Sequence, residues 1–135
     1  MGNRPVLPEG WHRPMGYSNA VVAQGRQIYV AGQVGWDSEE RFNSDDIAEQ
    51  AAQALRNVVA VLEAAGAGPE HIVRMTWYVT DKAAYIAALK EIGQAYREII
   101  GRNFPAMTAV EVTALIEDRA KVEVECTAVV AEGSG

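Results

Sequence analysis

Between residues 46 and 101 the apolar residues change period twice, from helical to alternating and back, and this restricts the folds open to the chain. Asp46-Ile47-Ala48-Glu49 resembles a capping box, and Ile47, Ala51, Leu55, Val58 and Leu62 follow at helical spacing. Gly66-Ala67-Gly68-Pro69 stops that helix. Over residues 72–80, Val73, Met75, Trp77 and Val79 alternate with Arg74, Thr76, Tyr78 and Thr80, the period of a strand. A second helix is predicted from Asp81 to Gly101, its stripe made by Tyr85, Leu89, Ile92, Tyr96 and Ile99. A helix with one apolar stripe buries one face, and right-handed crossovers carry both helices to the same side of a sheet.

The flanks supply the remaining strands. Residues 17–23 and 27–34 read as two strands with Gln24-Gly25-Arg26 as a tight hairpin, and Gly32 or Gly35 as a bend or bulge. Residues 107–114 and 121–130 close the chain through a polar turn at Glu117-Asp118-Arg119. The order is ββαβαββ, an α+β fold with a mixed sheet and two helices on one face. Residues 1–135 read as one domain, with residues 1–16 (Pro5, Pro8, Pro14) as an extended arm and residues 132–135 as a tail. Nothing in the chain covers the other sheet face, and Val110, Val112, Val122, Val124, Val129 and Val130 suit exposure poorly. An apolar face without cover implies identical subunits packed against it, a homo-oligomer.

Charge and composition exclude several classes of function. Among 135 residues, 12 Lys and Arg stand against 18 Asp and Glu, a net charge of −6. Such a surface repels phosphate backbones, so no nucleic-acid partner is expected. No apolar run approaches the roughly 20 residues that span a bilayer. The N-terminal stretch lacks the apolar core of a signal peptide, so the expected location is the cytoplasm, without membrane contact. Cys126 is the only cysteine and reads as core filler. His12 and His71 have no His or Cys at ligand spacing, and the His-x-Glu with Cys-x-x-Cys pattern of zinc deaminases is missing. There is no phosphate loop, and Gly32 and Gly35 are not followed by the third glycine of a dinucleotide fingerprint. Lys82, Lys90 and Lys121 sit in polar contexts unsuited to a Schiff base. No cofactor is expected.

Four segments, in order, resemble the Rid/YjgF family of enamine and imine deaminases: Gly16-Tyr17-Ser18-Asn19-Ala20, Val30-Ala31-Gly32-Gln33-Val34, residues 104–112 (FPAMTAVEV) and residues 121–125 (KVEVE). Val61-Leu62-Glu63-Ala64-Ala65-Gly66-Ala67 followed by Ile72-Val73 also looks like that family. The resemblance implies a chorismate-mutase-like fold, a homotrimer with sheets packed into a barrel, and ligand clefts at subunit interfaces. It implies cofactor-free hydrolysis of small 2-imino or 2-enamino acids to 2-keto acids and ammonia. In members with the deaminase signature, an arginine after the Pro-Ala of the fourth strand clamps the substrate carboxylate, and a glutamate of the last strand holds the attacking water.

Carried across residue by residue, the resemblance places the cleft tyrosine at Tyr17, the cleft glycine at Gly32 and the glutamate at Glu123, with Glu125 as the competing register. The arginine falls on Met107, a following cysteine on Ala109, and an asparagine of the second helix on Leu89. A thioether offers none of the donors a guanidinium presents to a carboxylate, so specificity shifts away from small 2-imino acids. Arg102, in a loop just upstream, is the first candidate for a replacement cation, ahead of Arg26 and Arg119. The residues alone leave plainer readings open: a solvated or interfacial Glu123, a strand aromatic at Tyr17, a core methionine at Met107. The leading reading is an imine or enamine hydrolase acting on a larger or differently charged substrate. The second is a non-catalytic small-molecule-binding trimer, and a ribonuclease fits the charge badly.

Overall fold

The computed structural model describes residues 2–132; Gly133, Ser134 and Gly135 of the expected tail lie outside the described residues. The elements run β1 (Arg4–Val6), β2 (Ala20–Val22), β3 (Arg26–Val34), α1 (Ile47–Ala64), β4 (Ile72–Val79), α2 (Lys82–Ala87), α3 (Leu89–Ile99), β5 (Ala106–Glu111) and β6 (Val122–Val130). Four strands form one mixed sheet in the order β3-β6-β4-β5, with β4 and β5 parallel and β6 antiparallel to both its neighbours. Strand alternation decides what each face carries. On β6, Val122, Val124, Cys126 and Ala128 are buried, while Glu123, Glu125 and Thr127 between them are only half-buried. Met75, Trp77 and Val79 of β4 join the buried set beneath α1 and α3.

α1 forms where the capping pattern predicts. The Asp46 carboxylate accepts the Glu49 N–H at 3.0 Å, and the helix ends before Gly66, which takes φ +78°. Arg26 donates to the carbonyl of Ala65 at 3.0 Å, satisfying one of the free carbonyls at the helix C-terminus. Gln50, the one buried polar residue among the described residues, ties this helix to the far end of the sheet. Its amide donates to the carbonyls of Ser44 and Arg119 at 3.0 Å each and accepts the Lys121 N–H at 2.8 Å. Gly35 lets the end of β3 pass close by, since a Cβ there would sit 2.6 Å from the Gln50 Cα.

Three expectations need correction. β2 does not form a hairpin with β3; it pairs antiparallel with β1, Arg4 opposite Val22, and the arm thereby gains a strand. Gly25, between β2 and β3, takes φ +148°, and a Cβ there would collide with the Val130 carbonyl. The second helix is broken at Ala88, which is buried and takes ψ 4°; no Gly or Pro marks the break in the sequence. The open sheet face is also less apolar than expected. Val122 and Val124 turn to the helices and are fully buried, and Val129 is buried as well. The open face instead presents Tyr29, Arg74, Thr76, Tyr78, Glu123 and Glu125 beside Val110. The bulge expected near Gly32 is present: the β3–β6 register shifts between Val30 and Gln33.

Candidate functional site

A cavity of about 400 Å³ opens between the edge strand β5, the helices α2 and α3, and the end of the arm. Its floor is Trp77 of β4 with Met107 and Ala109 of β5, which stand side by side because Met75 pairs with Met107 and Trp77 with Ala109 in the parallel ladder. Tyr85, Leu89, Ile92 and Tyr96 form the helical wall, and Met15-Gly16-Tyr17 the wall opposite. Ser18 anchors that arm, donating its hydroxyl to the Phe104 carbonyl at 2.5 Å and its N–H to the Pro105 carbonyl at 3.0 Å. Tyr96 stacks on Phe104 with centroids 5.8 Å apart and donates its hydroxyl to the Asn103 carbonyl at 2.6 Å. Apart from Arg97 the lining is mostly apolar, and Trp77 carries a buried indole N–H with no acceptor among the described residues.

Burial here keeps proton-bearing groups neutral. It raises the Tyr85 and Tyr96 phenols above their ordinary range, chiefly by desolvation. Under the same sheet, burial pushes the Cys126 thiol up from an ordinary 9.0 to about 12. The native chain therefore keeps a proton that the unfolded chain loses above about pH 9. The stability this contributes is complete below that pH and is lost progressively as pH rises toward 12. Urea midpoints are expected to fall across that window, and a thiol reagent at neutral pH is expected to label Cys126 only as the protein unfolds.

The residues matched from the sequence divide into two groups on opposite faces of the sheet. Tyr17, Leu89, Met107 and Ala109 line the cavity; Glu123 and Gly32 lie on the open face. The two members of the second group touch, for the Glu123 carboxylate lies over Gly32 where a Cβ would collide with it. Glu123 makes no side-chain hydrogen bond or ion pair with another described residue, whereas Glu125 accepts the Tyr78 hydroxyl at 2.6 Å. That bond, ahead of desolvation, raises the Tyr78 phenol.

Arg74 of β4 is on the open face, and three of the other four arginines near these elements are also placed away from the cavity. Arg102 is exposed in the loop after α3, Arg26 caps α1, and Arg119 pairs with Asp45 at 2.8 Å. The fourth, Arg97 of α3, is the one charged side chain in the lining. It was not singled out in the sequence because it lies off the apolar stripe; its place one turn after Gly93 is the signal that would have found it. Among the described residues, no three His, Cys, Asp or Glu side chains cluster as a metal site requires, and no helix is long and apolar enough to cross a membrane.

A family model described as Endoribonuclease L-PSP matches residues 12–130. The chain belongs to the Rid/YjgF family. This Rid-family chain is 35% identical over 114 residues to the 2-iminobutanoate/2-iminopropanoate deaminase of Homo sapiens, covering 84% of the chain and 79% of that relative. Its fold is similar to the Rid-family protein YyfB of Yersinia pestis, with TM-score 0.86, 32% identity and coverage of 96% and 100% of the two chains. A YjgF-family protein of Mycobacterium tuberculosis superimposes at TM-score 0.64 with 39% identity, covering 85% of this Rid chain and 87% of the other. The α+β fold expected from the sequence is thus the Rid fold.

Proposed function

We propose that the chain hydrolyses a reactive imine or enamine to a carbonyl compound and ammonia, without a cofactor, in clefts shared between the subunits of a homotrimer. The observation that carries this reading is the separation of the candidate residues. The cavity lies at the β5 edge, while Gly32 and the Glu123 carboxylate lie toward the β3 edge on the other face. One copy cannot bring them to the same substrate. Joining the β5 side of one copy to the β3 side of the next is a heterologous contact, and such contacts form a ring when the rotation between copies closes. The relatives named as 2-iminobutanoate/2-iminopropanoate deaminases support the reaction class.

In the proposed reaction, water adds its oxygen to the imine carbon while the Glu123 carboxylate takes the proton it sheds. The carboxylate returns that proton to nitrogen, giving the carbinolamine, and then relays the hydroxyl proton to the same nitrogen as the C–N bond breaks, so that ammonia leaves and the hydroxyl oxygen becomes the carbonyl. Glu123, without a side-chain hydrogen bond or ion pair among the described residues, is available for this role; Glu125 is held by Tyr78. Met107 at the position matched to the arginine favours the second reading, a binding protein without catalysis. Ammonia release from imines generated in situ by amino-acid oxidases, combined with sedimentation velocity, tests both. A trimer releasing ammonia faster than the buffer control is the expected result. A stable monomer at micromolar concentration overturns the shared cleft, and a trimer that binds keto acids without releasing ammonia leaves the binding protein.

A further inference from the structure

We infer that the cavity receives the aromatic side chain of a 2-imino acid, with the substrate carboxylate held at the cavity mouth by Arg97. The inference rests on the imine-hydrolase reading only for the polar end of the ligand. An apolar cavity of about 150 Å³ suffices for benzene, so one of about 400 Å³ has room for an aryl group together with a three-carbon imino acid. A two- or three-carbon side chain would leave most of its wall facing water. Five aromatic residues (Tyr17, Trp77, Tyr85, Tyr96 and Phe104) supply ring edges and faces for offset or edge-to-face contact.

The helix leaves Arg97 free for the anionic end. Its neighbours at i±3 and i±4 are Gln94, Ile100, Gly93 and Gly101, so no carboxylate on α3 competes for the guanidinium. It makes no ion pair among the described residues. Gly93 lies beside the guanidinium: a Cβ there would meet only the Arg97 Nη1, at 3.6 Å, an ordinary contact. A glycine inside a helix is unfavourable relative to alanine, and this one stands in the cavity wall with the guanidinium laid across it.

The test is calorimetric binding of two stable product-type acids, 3-phenylpyruvate and pyruvate, to the wild-type protein, with ammonia release measured on the corresponding imines. Phenylpyruvate is expected to bind at least about 10-fold tighter than pyruvate, and Arg97→Gln to weaken it about 5- to 50-fold, the range of a charge-assisted contact at a partly open site. Gly93→Leu favours the helix yet fills the cavity. It is expected to remain folded by circular dichroism and to abolish the preference for the aryl acid. Equal affinity for both acids, or an Arg97→Gln variant that binds phenylpyruvate as the wild type does, overturns the inference. If the preference and its dependence on Arg97 hold but no imine is hydrolysed, the hydrolase reading fails and the ligand class stands. If the small imine is hydrolysed and the aryl acid is not bound, the reverse is true.

Discussion

Glu123→Gln is expected to lower imine turnover by about 100- to 10,000-fold with the assembly unchanged. The amide keeps the shape of the side chain over Gly32, so the local packing that would collide with a Cβ is retained. What is lost is the ability to accept a proton from water. Glu123 has no hydrogen-bonded or ion-paired partner among the described residues, so the substitution orphans no other group and its cost to stability is small. Single-turnover ammonia release compared with sedimentation of the same preparation separates chemistry from assembly. Unchanged turnover would move the role to Glu125 or remove it. The paired variant Glu125→Gln perturbs the Tyr78 hydroxyl instead, and is expected to shift that phenol back toward its ordinary range, since the bond to Glu125 is the main cause raising it.

Met107→Arg is expected to raise activity on 2-iminopropanoate about 10- to 150-fold. A charge-assisted contact of about 1.5–3 kcal/mol made in the transition state gives that range. The position is suited to it: Met107 lines the cavity beside Ala109, at the strand edge rather than in the closed core. The guanidinium would stand near Trp77 and Phe104, a mostly apolar setting, so the unliganded variant is expected to melt at a lower temperature and to recover part of the loss when a keto acid is bound. Initial rates on 2-iminopropanoate and 2-iminobutanoate, with melting curves in the presence and absence of pyruvate, check both halves. A folded trimer with no gain on any 2-imino acid would count against catalysis in this chain.

Much of the main sheet was legible because its strands obey period two and its helices carry one stripe each. Val122, Glu123, Val124 and Glu125 alternate in the sequence as they do on the sheet, valines to the helices and carboxylates to the open face. What the pattern could not carry was the choice of partner. Nothing in residues 17–23 says whether β2 lies against β3 or β1, because both pairings satisfy the same alternation. The break at Ala88 was hidden for the opposite reason, since alanine is the strongest helix former and announces nothing. At the site, the resemblance ordered the residues along the chain but not across the sheet. That Met107 and Glu123 face away from each other follows from register and strand order, and Arg97 entered only when α3 was placed beside the cavity.

The strand order has a consequence for how the protein is made. β6 lies between β3 and β4, yet it is the last of the described strands to leave the ribosome. Until it emerges, β3 has no neighbour in the main sheet and β4 has only β5. Gln50 likewise waits for the Arg119 carbonyl and the Lys121 N–H, some 70 residues downstream. Through most of synthesis, at about 5–20 residues per second, the nascent chain carries Val30, Met75 and Trp77 without the strand that completes their burial. Closure of the main sheet therefore waits for β6 rather than proceeding strand by strand, and it depends on contacts of high sequence separation, which form slowly. During that interval the unpaired edges of β3 and β4 are open to strands from other chains, so the demand for chaperone protection is concentrated in the seconds before β6 inserts.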